Sequence, residues 1–208
     1  MEDTKRLPVI TISRQYAALG RTIARGLQER LGIPFYDKDF VTKTAEMSGY
    51  SEEDIVREGE AMSRGAQFMN TLLNNAAVYT SSYDGIYEAQ KKVVLELAKE
   101  PCIIIGRCAG HILKEAGIPS FNIYLHADVE DRIERARALG ENNGMELAKY
   151  IAKRDALRNT YYKKYTGIDM GHSHSYTIGL DVGKLDARTC LDILVPAIKA
   201  AKLSGPRV

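Results

Sequence analysis

The chain predicts an α/β fold in which a parallel sheet is covered by helices on both faces. Three observations carry that expectation: short β-branched runs recur along the 208 residues, helical patterns alternate with them, and no repeat or low-complexity segment breaks the alternation. A chain of this length buries one substantial core, so residues 1–208 are read as a single domain with small insertions.

"LPVITIS" is the first strand, and "RTIARGLQERLG" after it spaces Ile23, Ala24, Leu27 and Leu31 on one helical face, with Gly32 at the C-terminal cap. "IPFYD" is a second short strand. Residues 39–99 are polar and helical in pattern, broken at "SGYSEED" and "SSYDG", which predicts a helical insertion without a buried strand. "PCIIIG" and "FNIYLH" are two further strands with the short helix "RCAGHILKEAG" between them. "ADVEDRIERARAL" opens with Asp128 and Asp131 in a capping-box-like arrangement, and Val129, Ile133 and Ala136 mark its expected buried stripe. A helix is expected from about Gly144 to Tyr162, then "YTIGLDV" as the last strand. "LDARTCLDILVPAIKAAK" is the closing helix, with a kink expected at Pro196.

With 29 Lys+Arg against 27 Asp+Glu, no whole-molecule field favours nucleic acid or an anionic membrane, so any anion site must be local. The apolar runs "CIII" and "ILV" fall far short of the roughly 18 residues that cross a membrane, and "MEDTKRLP" has no signal-peptide core. A cytoplasmic protein is expected. Cys102, Cys108 and Cys190 form no CxxC pair and are read as reduced thiols in or near the core.

"TISRQYAALGRT" raises the chemical question. A Walker loop, GxxxxGK[ST], wraps a phosphate in backbone N–H groups, adds the partial positive charge of a helix N-terminus, neutralises the phosphates with Lys and binds Mg²⁺ through Ser/Thr. In that frame this chain has Gln15, then Tyr16 to Leu19, then Gly20, Arg21 and Thr22. Arg21 keeps the charge in a different shape. Two readings stand here: a phosphate loop with altered residues, or an ordinary strand–turn–helix connection. Losing glycine where φ is positive costs on the order of 1 kcal/mol per site, up to about 2 for Leu19. Three such losses predict nucleotide binding weaker by roughly tenfold to a thousandfold, unless the loop follows another path.

"ISRQYAALGRTIARGLQERLGIPFYDKD", "PCIIIGRCAGHIL", "YLHADVEDRIERA" and "KRDALRNTYYKKYTG" occur in that order, and on them the chain resembles the cytidylate-kinase-like family of P-loop kinases. The resemblance runs from Val9 to about Ile198. It implies a three-layer P-loop kinase fold with a parallel sheet of about five strands, a helical substrate-binding insertion at 39–99 and a lid at 140–175. It also implies ATP and Mg²⁺ as cofactors and a small nucleotide or other phosphorylated acceptor as partner, with neither nucleic acid nor membrane. The family commonly reads "ISREYGSGGREIA", so Ala17, Ala18 and Leu19 stand where Gly, Ser and Gly are usual. Cytidylate kinases carry an Asp after Gly-Arg, and Cys108 takes its place here, removing an acceptor for cytosine or a metal-bound water.

Arg107 follows the strand "CIIIG", at the sheet edge where open α/β folds bind ligands, and a guanidinium suits bidentate phosphate recognition. The matching Arg of the resembling kinases holds the acceptor monophosphate; the other reading is an ion pair with an acid of the insertion. Arg154 and Arg158, four apart, share one helix face, with Asp155 three before Arg158. The family's lid reads Asp-x-x-Arg there, while an exposed salt-bridge ladder has the same spacing. Lys153, Lys163 and Lys164 among Tyr161, Tyr162 and Tyr165 read as a solvated helix with half-buried tyrosines. His172 and His174 have no third metal ligand nearby in the sequence. Asp37 is either a substrate-side carboxylate, as the family's "YDK" implies, or a helix cap.

The expected function is ATP-dependent phosphoryl transfer to a nucleoside monophosphate. Gly20, Arg21 and Thr22 would hold the donor phosphates, with Thr22 on Mg²⁺. Asp37, Arg107, Asp155 and Arg158 would hold the acceptor, and Arg21, Arg154 and Arg158 would act on the transferred group. A catalytically weak or inactive kinase-like sensor or partner module, or a kinase for another small acceptor, are the alternatives.

Overall fold

The computed structural model describes residues 7–37, 82–106, 108–142 and 144–202. Its elements follow the expected alternation: β1 (Val9–Arg14), α1 (Gly20–Leu31), β2 (Phe35–Tyr36), α2 (Ser82–Leu97), β3 (Ile103–Ile105), α3 (Ala109–Glu115), β4 (Ser120–His126), α4 (Val129–Leu139), α5 (Leu147–Thr166), β5 (Ile178–Asp181) and α6 (Ala187–Ala200). All five strands are parallel, in the order β2-β3-β1-β4-β5, with Ile10 opposite both Ile103 and Phe121. From β1 the chain crosses over β3 to β2, and from β3 it crosses back over β1 to β4, so the connections from the adjacent strands β1 and β3 run in opposite directions. A crevice forms at that switch point, outside the carboxyl ends of the strands.

Strand alternation distributes the core between two faces. Ile10, Ile12, Ile103 and Ile105 pack with Ile23, Leu27, Leu191 and Leu194 of α1 and α6. Val9 and Ile104 pack on the other side with Val93, Val94, Ile112 and Leu113 of α2 and α3 and with Tyr161 and Tyr162 of α5. These are the three layers expected. Ile23, Ala24, Leu27 and Leu31 are buried and Gly32 takes a left-handed φ of 69° at the helix end, as their spacing indicates.

Several local expectations are corrected. The helix expected over 144–162 spans Leu147–Thr166, because Tyr161 and Tyr162 are buried against the sheet and Tyr165 stacks on Tyr87 at 3.9 Å between ring centroids. Asp128 sits at the N-cap of α4 without a side-chain capping bond, and Val129 and Ile133 are only partly buried. The buried positions of α4 are Ala136 and, unexpectedly, Arg132. Pro196 lies inside α6 between the buried Leu194 and Ile198. The three cysteines are buried and none forms a disulfide. Of the region 39–99, residues 39–81 lie outside the described residues, and α2 is the part described. No described helix is long and apolar enough to cross a membrane.

Candidate active site

The crevice opens where β1 hands over to α1. Gln15 anchors the loop between them: its N–H donates to Leu125 O at 3.0 Å, and its side-chain oxygen accepts from Ala127 N at 3.1 Å. Ala17 and Leu19 then take left-handed φ values of 59° and 57°, and Leu19 is the N-cap of α1. Ala18, the third expected glycine-like position, does not. Leu19 supplies no capping side chain and the first turn holds no acid, so no side chain of the helix's own neutralises its N-terminus, which suits an anion. The third strained position is Cys108, φ 56°, at the end of β3 where α3 begins. The chain thus holds three non-glycine residues in a left-handed conformation in two turns around one crevice, at a cost of about 1 kcal/mol or more each. That cost falls on folding, because the loop already follows the strained path; the expected weakening of ligand binding therefore does not follow from it.

The loop also closes one residue earlier than the GxxxxGK spacing indicates. Leu19 is the left-handed closing residue, Gly20 opens the helix and Arg21 is its second residue. The Arg21 guanidinium turns to the rim, 59% exposed, and forms an ion pair with Asp37 just beyond β2. Donor-side and acceptor-side candidates are thereby joined to each other.

α5 closes the opposite wall. Asp155 accepts from the Tyr16 backbone N–H at 2.6 Å through one oxygen and from Arg132 at 2.6 Å through the other. The same Arg132 nitrogen donates to Tyr16 O at 3.1 Å. Arg132, 5% exposed, therefore needs Asp155 as its counter-charge, and the Asp155 carboxylate is held by the chain itself. Arg154 and Arg158, one turn apart, both lie over the Tyr16 ring, at 5.5 and 5.4 Å from its centroid. The Tyr16 hydroxyl donates to Glu141 at 2.9 Å. Burial first, then that carboxylate, push it above the usual phenol range, so it stays protonated.

These groups line one cleft of about 460 Å³, within the range of small-molecule sites. Gly20, Arg21, Thr22, Asp37, Arg154 and Arg158 all border it, whereas Asp155 is turned into the wall and Arg107 lies outside the described residues. The cleft suits a polyphosphate: a helix N-terminus without an acid, two Arg of α5, and Arg135, which donates one nitrogen to Val182 O at 2.8 Å and holds the other buried without a hydrogen-bond partner among the described residues. Thr22, exposed at the helix start, borders the cleft as well. Sequence reasoning passed over Arg14, Arg132 and Arg135. A charged residue at the last position of a central strand was a usable signal for Arg14; the burial of Arg132 had none, since its partners lie on two other segments.

A five-stranded parallel sheet in this order, with a phosphate-loop-like turn and a helix N-terminus at the carboxyl end of its central strand, defines the α/β kinase fold. The chain belongs to the cytidylate kinase-like family, whose sequence model matches residues 9–184. It is 29% identical over 196 residues to a cytidylate kinase of Methanothrix thermoacetophila, covering 93% of this chain and 99% of that one. Similarity to the cytidylate kinase of Methanocaldococcus jannaschii is 29% over 140 residues, 66% of this chain and 78% of the other. Among solved structures, an uncharacterized protein from Eubacterium ventriosum superposes with TM-score 0.66 at 21% identity, covering 93% and 99% of the two chains. A shikimate kinase from Bacteroides thetaiotaomicron superposes with TM-score 0.58 at 14% identity, with the same coverage. These likenesses are of fold.

Proposed function

We propose that the protein transfers a phosphoryl group from Mg·ATP to a nucleoside monophosphate. The observation that carries this is the convergence of Arg154 and Arg158 of α5 on the same cleft as the N-terminus of α1. Family membership and the cytidylate kinase relatives support the reaction class.

Bound Mg·ATP supplies the transferable group: an acceptor phosphate oxygen forms the new bond to the γ-phosphorus as the bond to the bridging oxygen breaks, and ADP leaves with that electron pair. The residues of this chain position and stabilise. The N–H groups at the start of α1 bind the donor phosphates. With the helix opening at Gly20, the usual Mg²⁺-binding place after the cation falls on Arg21, so Thr22 would offer its hydroxyl to Mg²⁺ from one residue further along α1. Arg154 and Arg158 face the negative charge that spreads over the transferred oxygens. Asp37, just beyond β2, and Arg107, two positions after β3 in the sequence, address the acceptor. No general base is required, because a phosphate acceptor is already an anion; positioning carries the rate. Residues 39–99 and 140–175 serve as the substrate-binding insertion and the lid.

Thermal shift with Mg·ATP and a panel of nucleoside monophosphates, followed by coupled ADP release, tests the reading. Stabilisation by Mg·ATP together with acceptor-dependent ADP release is expected. A second reading, a phosphate-ligand-binding module without turnover, is favoured by the pairing of Arg21 with Asp37, which ties a donor-side cation to an acceptor-side carboxylate. Nucleotide binding with no ADP release for any acceptor selects that one.

A further inference from the structure

In a GxxxxGK loop the lysine directly follows the closing glycine at the start of the helix. Here the closing residue is Leu19, so the lysine's place falls on Gly20, which has no side chain. The space above it is filled from elsewhere. A Cβ built on Gly20 would stand 3.1 Å from Cγ of Arg14, 3.3 Å from its Cδ and 3.4 Å from its Nε. A Cβ on Gly106, at the end of β3, would stand 2.5 Å from Nη1 of the same residue. The Arg14 side chain therefore leaves the end of β1, crosses the first residue of α1 and lays its guanidinium over the end of β3. Arg14, Gly20 and Gly106 all border the cleft.

We propose that Arg14 is the phosphate-binding cation of this site, taking over from a side chain one strand end away the task that a lysine at position 20 would perform. The assignment rests on the phosphoryl-transfer reading for its ligand, the terminal phosphates of a nucleoside triphosphate. It accounts for glycine at position 20, which leaves room for the stem; Gly106, whose φ of 75° already favours glycine, also leaves room for the guanidinium. It also explains how the helix start can dispense with Arg21, whose guanidinium is drawn to the rim by Asp37. The guanidinium bridges the donor loop and the end of β3, so it meets the phosphate at the junction where a transferred group passes between the two. A planar fork suits that junction, because it can address two oxygens at once.

The test is calorimetry of Mg·ATP and of inorganic tripolyphosphate on wild type, Arg14→Met, Arg14→Lys, Gly20→Ala and, as a charge control on the exposed face of α1, Arg25→Met. Arg14→Met should weaken both ligands by about tenfold to a hundredfold, the share of a charge-assisted contact. Arg14→Lys should keep part of the affinity, and Arg25→Met all of it. Gly20→Ala puts a helix-favouring residue in the path of the Arg14 stem, so it should lower affinity several-fold with a melting temperature at or above wild type. A folded Arg14→Met that binds both ligands like wild type overturns the assignment. Should Arg14→Met not fold, unchanged affinity in Gly20→Ala overturns it instead. Wild type that binds tripolyphosphate through Arg14 but not Mg·ATP overturns the nucleotide reading and leaves Arg14 as a phosphate site; wild type that binds neither overturns both.

Discussion

The backbone N–H of Tyr16 donates to the Asp155 carboxylate at 2.6 Å, joining a loop residue and a helix residue 139 positions apart at the wall of the cleft. The other carboxylate oxygen neutralises Arg132, whose side chain is only 6% exposed. Asp155→Ala strands a buried guanidinium and an N–H together, and a loss of about 3 kcal/mol in urea denaturation is expected. Arg132→Met combined with Asp155→Leu should recover most of it, since no charge is left buried. An Asp155→Ala variant as stable as wild type would show that the triad does not hold α5 to the loop.

Left-handed Ala17 and Leu19 give a second prediction. Glycine at either site relieves about 1–2 kcal/mol of strain and gives back about 0.5–1 through the freer unfolded chain. A small gain in stability, near 0.5–1 kcal/mol per site, is expected from the denaturation midpoint. Because the loop is already shaped, affinity for Mg·ATP should change less than tenfold. A large tightening with no stability gain would mean that the free loop takes another path.

Arg154 and Arg158 flank the Tyr16 ring and border the cleft. Replacing either with Ala should lower turnover by about 10²- to 10³-fold, the usual loss of one charge-stabilising donor, with a smaller effect on Mg·ATP binding. Coupled ADP release measures the first and calorimetry the second. Equal losses in kcat/KM and in ATP affinity would place them in ground-state binding.

The alkaline limb of stability is the fourth prediction. Burial raises the Cys102 thiol from 9.0 to about 12, and the hydroxyls of Tyr16, Tyr87, Tyr162 and Tyr165 also lie above their usual range, chiefly through burial. The folded chain holds these protons more tightly than the unfolded one, so their contribution is intact below about pH 9 and is lost as pH climbs toward 12. Melting temperature should be flat near pH 8 and fall steadily above pH 9, and Cys102→Ala should make that fall shallower. An unaltered slope in Cys102→Ala would remove the thiol from the account.

Strand and helix identity was legible because it is set by near neighbours. The β-branched runs of β1, β3 and β4 and the Ile23, Ala24, Leu27, Leu31 spacing of α1 each mark their own buried face within one segment. α4 failed that test: its stripe of apolar residues was real but incomplete, because Arg132 enters the interior only through Asp155 and Tyr16, which other segments supply.

By itself, then, the chain's pattern determined the alternation of elements, the parallel sheet, the buried thiols and the segment that carries a phosphate-loop-like turn. Tertiary structure decided which charges meet there. Spacing put the loop's cation at Arg21, but the left-handed turn at Leu19 starts the helix one residue sooner, Arg21 swings to Asp37, and Arg14 fills the room over Gly20 and Gly106. A charged side chain settles where counter-charge and space coincide, and both are supplied by residues brought near only when the sheet assembles.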